Sequence, residues 1–431
     1  MIKTIEIRNY KSIDILKLDL GRVNVFIGEN GAGKSNILEA IGLAGAASAK
    51  KLDNEFLASR GIRVTQAQLM RPAFDGFEGN ESISITVGND SPQPVRFTLS
   101  NDNAAYSQWQ CDIHSGSASL NLTPTEFPKI IKSFVDSNQS RDKQELQESV
   151  QAFTKILFEK LEQTERENSS KEDLSAEALK EESRQLKIEL PTDNLFAKYL
   201  NETNSNFRSI RKELSDFIIY SPENTSLRIF EREGQIEPLG INGEGLLKLL
   251  RVLSSEDLDT VKEIKASLSL FGWFKDFNVV DEGTGPSRME IEDKYLADGR
   301  TYFDQRSANE GFLFLVFYFS LFSSRLTPTF FGVDNVDASL NPKLCQKLAL
   351  QLVKLAKKHE KQVILTTHNP AILDGLNLED DEQRLFAVSR NSIGYTKVTR
   401  IHKPKQSESS TPIRLSEAFL RGSIGGLPKG F

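Results

Sequence analysis

Residues 21–36 carry the pattern that most limits the possible fold, a strand followed by a glycine-rich loop and a helix. Val23, Val25 and Ile27 alternate with their neighbours and predict a buried strand. The loop GENGAGKS (28–35) has the spacing G-x-x-x-x-G-K-S, and apolar residues at helical spacing follow it. In such a loop, backbone N–H groups curl around phosphate oxygens and the helix N-terminus adds its positive end. The segment therefore predicts an α/β protein that binds a nucleotide.

The loop also supplies the candidate ligands for the nucleotide and its cation. We expect the ammonium of Lys34 to reach the β- and γ-phosphates and the hydroxyl of Ser35 to bind Mg²⁺. The candidate nucleotide-binding residues of this segment are Glu29, Asn30, Gly31, Ala32, Gly33, Lys34, Ser35 and Asn36.

Composition excludes several other classes of protein. The net charge of −6 over 431 residues does not suit a surface that binds nucleic acid everywhere. Cys111 and Cys345 are the two cysteines, so a disulfide framework and a zinc site of paired cysteines are excluded. The apolar run Gly311–Phe322 is too short to span a bilayer and is predicted to be a buried helix. We expect a cytoplasmic protein.

Two later segments complete a candidate hydrolase site. Thr329–Asp334 is an apolar strand that ends in an acid, and such an Asp beside a phosphate loop orients the Mg²⁺ shell. Lys361–His368 is another buried strand, and it ends in a histidine near the expected γ-phosphate. Because the loop, the helix, the acid and the histidine occur in this order, we predict a complete nucleotide-hydrolase core.

Strand patterns fill the first third of the chain, at 2–8, 13–20 and 81–113. From about 125 the apolar spacing becomes helical, and the charged stretch 141–190 is predicted to be a solvated helical hairpin or a docking arm, with a polar break at 168–170. Strand character returns at Phe217–Tyr220, so this helical part is expected to be an insertion. The polar linker 402–412 precedes a tail that either docks onto another surface or packs on its own head.

On these motifs the chain resembles the ABC-type ATPases of the SMC, RecF and OLD (overcoming-lysogenisation-defect) branch. The matching segments are IRNYKSI (7–13), GENGAGKSN (28–36), LGINGEGLLKLL (239–250), SANEG (307–311), VDNVDASLNP (333–342) and TTHNPAIL (366–373). The resemblance covers 1–110 and 216–400 and implies an α/β fold: an ABC-type P-loop head with a mixed sheet flanked by helices and an antiparallel β subdomain. We expect the two halves of the head at 1–115 and 216–400, with a helical insertion at 116–215 and a linker with a C-terminal docking tail at 401–431; the insertion and the tail lie outside the resemblance.

The resemblance also implies roles for individual residues, with ATP and Mg²⁺ as cofactors. Ser307, Asn309 and Gly311 stand in the family's signature segment, which would contact the γ-phosphate of ATP held by a second subunit. Asp337 matches the loop that crosses the dimer interface, and His368 matches the switch histidine. Binding of ATP would then assemble a homodimer or a larger homo-oligomer. Either Gln66 or Gln68 is expected to serve as the glutamine-loop residue.

The sequence departs from the family pattern directly after Asp334. A glutamate that polarises the attacking water usually follows this Asp, and here the residue is Asn335. An amide can orient water but cannot accept its proton, and a general base contributes about 10²–10⁴ in rate. We therefore predict slow hydrolysis, unless Asp337 or a partner supplies the carboxylate. The signature segment also lacks the Ser-Gly-Gly of transporter ATPases, so a typical transporter subunit is not expected.

Two further features narrow the choice within the branch. From the spacing of the head motifs and the 63 residues after His368, we expect neither the long coiled-coil arms of SMC proteins nor the Toprim nuclease domain of OLD nucleases. The acids Asp380, Asp381 and Glu382 are expected to form a solvated loop rather than a metal site.

Three functions remain open from the sequence. The first is an ATP-gated sensor or scaffold for a separate effector, such as a nuclease, in bacterial anti-phage defence. The second is a RecF- or SMC-like ATPase that binds DNA during repair, with a local basic patch formed by Lys129, Lys132, Arg208, Arg211 and Lys212. The third is a structural subunit that binds nucleotide without turnover.

Overall fold

The chain forms two compact units, one of them inserted into the sequence of the other. The computed structural model describes residues 1–74, 81–91, 93–104, 106–115, 120–122, 127–138, 143–169, 186–188, 205–229, 236–280, 287–297, 302–402 and 414–424. The first unit comprises Met1–Asp90, Thr98–Cys111 and Arg211–Phe431, and the second comprises Ser91–Phe97 and Asp112–Ile210.

The strands are β1 (Thr4–Tyr10), β2 (Ile13–Asp19), β3 (Val23–Gly28), β4 (Ile83–Gly88), β5 (Val95–Ser100), β6 (Gln110–Ser115), β7 (Leu120–Leu122), β8 (Leu186–Ile188), β9 (Ile219–Tyr220), β10 (Phe274–Val280), β11 (Arg288–Asp293), β12 (Phe303–Asp304), β13 (Phe330–Val333), β14 (Gln362–Thr367), β15 (Gln383–Arg390) and β16 (Thr396–Ile401). The helices are α1 (Lys34–Ser48), α2 (Asn54–Ser59), α3 (Phe127–Ser137), α4 (Lys143–Ser169), α5 (Ser205–Ser215), α6 (Asn224–Leu227), α7 (Leu246–Glu256), α8 (Leu258–Leu268), α9 (Glu310–Ser323), α10 (Pro342–Lys358) and α11 (Leu415–Leu420). Two 3₁₀ helices occupy Ala67–Met70 and Pro370–Gly375.

The central sheet of the first unit positions the candidate site. Its strand order is β16-β15-β3-β14-β13-β9, and all neighbours are parallel except β15 and β16. In the register of β3 and β14, Ile27 lies opposite Thr367. The phosphate loop and His368, which follow these two residues, therefore leave the sheet side by side. Ligands of open α/β sheets bind outside this carboxyl edge.

The hydrophobic run predicted at 311–322 is a buried helix, as expected. It forms α9, and every residue from Gly311 to Ser323 is buried. An all-round apolar helix belongs in the core of a large protein, and here α9 packs among α6, α8 and α10. Within the described part of the chain, no helix combines the length and the apolar character needed to cross a bilayer.

The predicted strands near the N-terminus agree with the structure within one or two residues. β1 pairs antiparallel with β2 and β4, and the sheet has the order β2-β1-β4-β5-β6. A three-stranded sheet, β10-β11-β12, is also antiparallel. The strand predicted at Phe217–Tyr220 is shorter than expected, because only Ile219 and Tyr220 pair with β13.

The described residues of the predicted insertion are mostly helical, and they also include two short strands. The helical spacing of residues 146–161 corresponds to α4, which ends at Ser169, close to the predicted polar break. The charged helix predicted before Pro191 lies outside the described residues. β7 and β8 form a separate antiparallel pair.

The tail packs on its own head, which was one of the two alternatives left open by the sequence. Phe419 of α11 is buried in the main core. The backbone N–H and the hydroxyl of Ser416 donate to the carboxylate of Asp374 at 3.0 and 2.7 Å. Asp374 belongs to the 3₁₀ helix that begins two residues after His368. Most of the predicted linker and the last seven residues lie outside the residues that the structure describes.

Candidate nucleotide-binding site

Two glycines give the phosphate loop its curvature. Gly31 and Gly33 have φ values of +77° and +108°, a region that L side chains rarely adopt. A Cβ on Gly33 would also lie 2.1 Å from the hydroxyl oxygen of Thr396, whereas a Cβ on Gly31 would meet open space. The loop therefore has a close-packed inner side and an open outer side, as a cradle for an anion requires.

Side chains from distant segments hold the inner side of the loop. The hydroxyl of Thr396 donates to the carbonyl of Ala32 at 3.0 Å and lies 2.7 Å from the hydroxyl of Ser12. The amide of Asn36 donates to the same Ser12 oxygen at 2.7 Å. Because these side chains are buried or half-buried, the loop is fixed before any ligand binds.

The outer side of the loop faces solvent. Asn30 and Gly31 are exposed and Glu29 is half-buried. Nε of Arg390 donates to the carbonyl of Gly31 at 2.8 Å, so an exposed cation also lies at the tip of the loop.

The side chain of Lys34 is hydrogen-bonded to the backbone of its own loop. Its Nζ donates to the carbonyls of Gly28 and Glu29, both at 2.9 Å, and lies 3.4 Å from Nδ1 of His368. Burial lowers the pKa of Lys34 to about 8, although nearby acids oppose the shift. These partners of the ammonium, two backbone carbonyls and an imidazole nitrogen, are uncharged, which leaves its charge available to a phosphate.

Ser35 and Asp334 form the candidate cation site. The hydroxyl of Ser35 donates to Oδ2 of Asp334 at 2.9 Å. Thr366 on β14 donates to the other carboxylate oxygen and so fixes the rotamer of the acid. A hydroxyl and a carboxylate are the hard oxygen ligands that Mg²⁺ prefers, usually alongside waters and phosphate oxygens. The chemistry of Ser35 and Asp334 therefore suits the predicted binding of a nucleotide with Mg²⁺.

The residue after Asp334 has an unusual backbone. Asn335 has φ +54°, its backbone N–H donates to the hydroxyl of Thr366 at 2.9 Å, and its side chain is exposed. Asparagine is several-fold enriched in the left-handed region, where a glutamate is strained. The local backbone therefore gives a physical reason for an amide at this position.

Asp337 holds the loop that carries His368. Its Oδ1 accepts a hydrogen bond from the hydroxyl of Thr367 at 2.6 Å and from the backbone N–H of His368 at 3.3 Å. The pKa of His368 is lowered, mainly by burial and next by the charge of Lys34. The imidazole is therefore neutral near pH 7 and can accept or donate a hydrogen bond. The proposed roles of Asp337 in catalysis and at an interface stay predictions.

The predicted signature residues lie together at the start of α9. The side chain of Asn309 caps the helix by accepting from the N–H of Phe312 at 3.3 Å, and Ser307 is exposed. A Cβ on Gly311 would lie 3.2 Å from the carbonyl of Ser339, so the helix start lies against the segment that follows Asp337. Contact of these residues with a second subunit's nucleotide stays a prediction.

The two candidate glutamine-loop residues flank the start of the first 3₁₀ helix. Both Gln66 and Gln68 are exposed, and Nε2 of Gln68 lies 3.4 Å from Oε1 of Gln66. They line a cavity of about 700 Å³ together with Trp109 and Tyr106. Their described hydrogen bonds do not include Ser35 or Asp334, and the assignment between them stays open.

The acids of the loop at 380–382 have local partners, and four residues of the candidate basic patch are exposed. Asp381 pairs with Arg384 at 3.2 Å and with Arg400 at 2.5 Å, and Glu382 pairs with Arg22 at 3.2 Å. Asp380 accepts from the amide of Gln383 at 3.0 Å. The three consecutive acids therefore belong to a network of ion pairs and hydrogen bonds at the surface. The exposed residues of the candidate basic patch are Lys129, Lys132, Arg208 and Lys212.

Sequence reasoning missed a charged group beside the loop. Glu39 of α1 is buried and binds Lys11 and Arg63. The available signal was a carboxylate within the otherwise apolar stretch 37–41 of a helix.

Comparison with known proteins places these features in a family. The sequence profile described as "AAA domain, putative AbiEii toxin, Type IV TA system" matches residues 23–374. An OLD nuclease of Thermus scotoductus is 32% identical over 92 residues, which is 21% of this chain and 15% of that protein. An uncharacterized protein of Methanocaldococcus jannaschii is 52% identical over 44 residues, 10% of this chain and 20% of that protein. The chain thus spans a fifth or less of the length of these curated relatives.

The fold has a counterpart among solved structures. A crystal structure of the SmcHead bound to the C-winged helix domain of ScpA superposes with a TM-score of 0.51 and 13% identity, covering 93% of this chain and 98% of the other. At this identity the likeness establishes the fold alone. The predicted α/β fold of an ABC-type head is therefore confirmed, and the chain belongs to this AAA-domain family.

Proposed function

We propose that the chain binds ATP with Mg²⁺, hydrolyses it slowly and uses the bound state to control a separate effector, such as a nuclease, in bacterial anti-phage defence. One observation carries the proposal. The phosphate- and cation-binding groups Lys34, Ser35, Asp334 and His368 converge at the carboxyl edge of the sheet, while an amide, Asn335, occupies the position beside them. Such a site is built to hold a nucleotide more effectively than to cleave it.

Each of these groups has a part in binding. Lys34 would exchange its two carbonyl acceptors for phosphate oxygens, and His368 would be a neutral partner beside it. Ser35 and Asp334 would hold Mg²⁺. Bound Mg²⁺-ATP supplies the phosphoanhydride bond whose presence or cleavage distinguishes two states of the protein.

Slow turnover follows from the acceptors that remain beside this site. The amide of Asn335 can orient a water but cannot take its proton. Oδ1 of the Asp337 carboxylate already accepts from Thr367 and His368, and these bonds favour a positioning role. An ABC head in which no carboxylate takes the proton is slower by about 10²–10⁴ than a head that has a general base.

Assembly would follow from the position of the signature residues. Ser307, Asn309 and Gly311 lie at the start of α9, against the segment after Asp337. We propose that they face the nucleotide of a second copy, so that ATP assembles a homodimer or a larger homo-oligomer. The nuclease relative and the toxin–antitoxin description of the family support an effector function in defence, with the effector as a separate protein.

The first test is nucleotide binding by matched lysine variants. Lys361 is also buried, also hydrogen-bonded to backbone carbonyls and also has a pKa lowered to about 8, but it lies at the opposite end of β14. Lys34→Met should abolish binding of fluorescent mant-ATP with Mg²⁺, whereas Lys361→Met should retain it at a temperature where both are folded. Equal binding by both variants would refute nucleotide binding at the phosphate loop.

The second test identifies the partner. A tagged chain and its Lys34→Met variant should be purified from the native host with ATP, and the retained proteins identified by mass spectrometry. If a nuclease is recovered in stoichiometric amount with the unmodified chain but not with Lys34→Met, the result supports control of a separate effector. Recovery of repair proteins, or salt-sensitive binding of duplex DNA that needs Lys129 and Lys132, would instead establish the repair function.

A further inference from the structure

One carboxylate is buried in the helix that follows the phosphate loop. Glu39 lies on α1, four residues after Ser35, and only 2% of its surface is exposed. Each of its oxygens accepts from a different cation. Nζ of Lys11 donates to Oε2 at 2.5 Å, and Nε of Arg63 donates to Oε1 at 2.5 Å. A buried charge is tolerated only when it is paired and hydrogen-bonded in this way.

Two weaker donors complete the shell of Glu39. The hydroxyl of Tyr10 lies 3.3 Å from Oε2, and the backbone N–H of Arg63 lies 3.4 Å from Oε1. The carboxylate is outnumbered by its cations, so Glu39, Lys11 and Arg63 together carry one surplus positive charge. This excess lies beside a loop that is predicted to receive a polyanion.

The guanidinium of Arg63 extends from this buried anchor toward the candidate site. The Arg63 side chain is 65% exposed, although the carboxylate that holds it is buried. Its Nη2 donates to Oδ1 of Asn36 at 3.2 Å, and Asn36 directly follows Ser35. Burial alone would lower the pKa of Arg63, but the hydrogen bond and charge of Glu39, together with the charge of Asp334, raise it. The hydrogen bond to Asn36 places the guanidinium of Arg63 beside the residue that directly follows Ser35.

We propose that Glu39 is a positioning residue, which holds the guanidinium of Arg63 beside Asn36 so that it faces the phosphates of a bound nucleotide. This inference rests on the proposed binding of ATP. Nε of Arg63 is used by Glu39 and Nη2 donates to Asn36, while the guanidinium stays exposed enough to meet a ligand. Holding a long cationic side chain in place reduces the conformational entropy lost when the phosphate binds.

A purely structural role predicts something different. The three side chains also connect the β1–β2 turn and the segment before the first 3₁₀ helix to α1, and loss of that connection would lower stability alone. The chain offers a matched control in Glu6 on β1. Glu6 also pairs with two cations, Arg8 at 2.6 Å and Lys17 at 3.1 Å, and its described ion pairs do not involve residues of the candidate site.

The test is a double-mutant cycle on the full chain, with mant-ATP and Mg²⁺ as the probe. We expect Glu39→Gln and Arg63→Ala each to weaken binding about tenfold, as for a charge-assisted hydrogen bond worth about 1.4 kcal/mol. The double variant should be no more than about twofold weaker than either single variant, because both remove the same contact. Glu6→Gln should leave the affinity unchanged. Thermal unfolding of each variant identifies the temperature at which all are folded, and Glu39→Asp replaces Glu39→Gln if the latter does not fold.

The outcomes separate this inference from the proposed function. If the unmodified chain binds no mant-ATP, or if Lys34→Met binds as well as it does, the proposed function fails. If Lys34→Met abolishes binding while Glu39→Gln behaves like Glu6→Gln, the positioning role alone is overturned. Multiplicative effects of Glu39→Gln and Arg63→Ala, giving about 100-fold in the double variant, would also overturn it, because the two residues would then act independently.

Discussion

Replacement of Asn335 by glutamate tests the reasoning about the missing base. The backbone at Asn335 has φ +54°, and an L residue other than Asn, Asp or Gly is strained there by about 1 kcal/mol. A restored general base contributes about 10²–10⁴ in rate, which corresponds to about 3–5 kcal/mol of barrier. Since the catalytic term exceeds the strain, we expect Asn335→Glu to hydrolyse ATP about 100-fold faster while its melting temperature falls by about 2 °C.

A series at this one position separates the two effects. Asn335→Asp keeps a residue type that tolerates the left-handed backbone and adds a shorter carboxylate, whereas Asn335→Ala adds strain without a functional group. Phosphate release at saturating ATP should rank Glu above Asp, and both above Asn and Ala. The melting temperatures should instead be higher for Asn and Asp than for Glu and Ala. In the phosphate-release assay, Lys34→Met measures the activity of contaminating ATPases.

One result would refute this reasoning. A folded Asn335→Glu that binds mant-ATP normally but hydrolyses it no faster than the unmodified chain would show that the missing carboxylate does not limit the rate. That result would favour the third function, a structural subunit that binds nucleotide without turnover.

Four further predictions follow from the site and the tail. Because the pKa of Lys34 is about 8, ATP binding at pH 8 should take up about half a proton per site, measured by calorimetry in buffers of different ionisation enthalpy. The pKa of His368 lies below its ordinary value of 6.5. As the pH falls, the unfolded chain therefore binds the proton before the folded chain does, and the free energy of unfolding should decrease below pH 6.5. His368→Gln should reduce this decrease, measured by urea unfolding at pH 5.5 and pH 7.5. Gly33→Ala should lose mant-ATP affinity more than Gly31→Ala, because its Cβ would meet an oxygen at 2.1 Å whereas the other meets open space. Phe419→Ala should release α11 at a cost of about 3 kcal/mol, seen as faster hydrogen exchange at 415–420, and unchanged exchange would show that Phe419 does not anchor the helix.

The sequence by itself predicted the elements whose signal is local. The strand, loop and helix of the phosphate site follow from residues 23–48, because a glycine-rich turn, β-branched alternation and helical spacing are all local properties. The buried helix α9 was predicted for the same reason, since an apolar run bounded by polar residues leaves no solvent-facing side.

The resemblance to ABC heads predicted which motifs form the site. Only the tertiary structure brings the side chains of these motifs together. Lys34 is hundreds of residues away from Asp334 and His368 in the sequence, and the three meet because β3, β14 and β13 are neighbours in one parallel sheet. Strand order is a non-local property, and a shift of register by one residue would turn these side chains to other faces.

Tertiary structure also decided three features that no local pattern specifies. The left-handed backbone at Asn335 occurs together with a hydrogen bond from its N–H to Thr366 on β14. The anchor at Glu39 needs cations from two separate segments, and the packing of α11 needs a partner helix 42 residues earlier in the chain. Sequence determines which residues can carry charge or bend the backbone, while packing determines which of them meet, because each contact depends on the burial of every other part of the core.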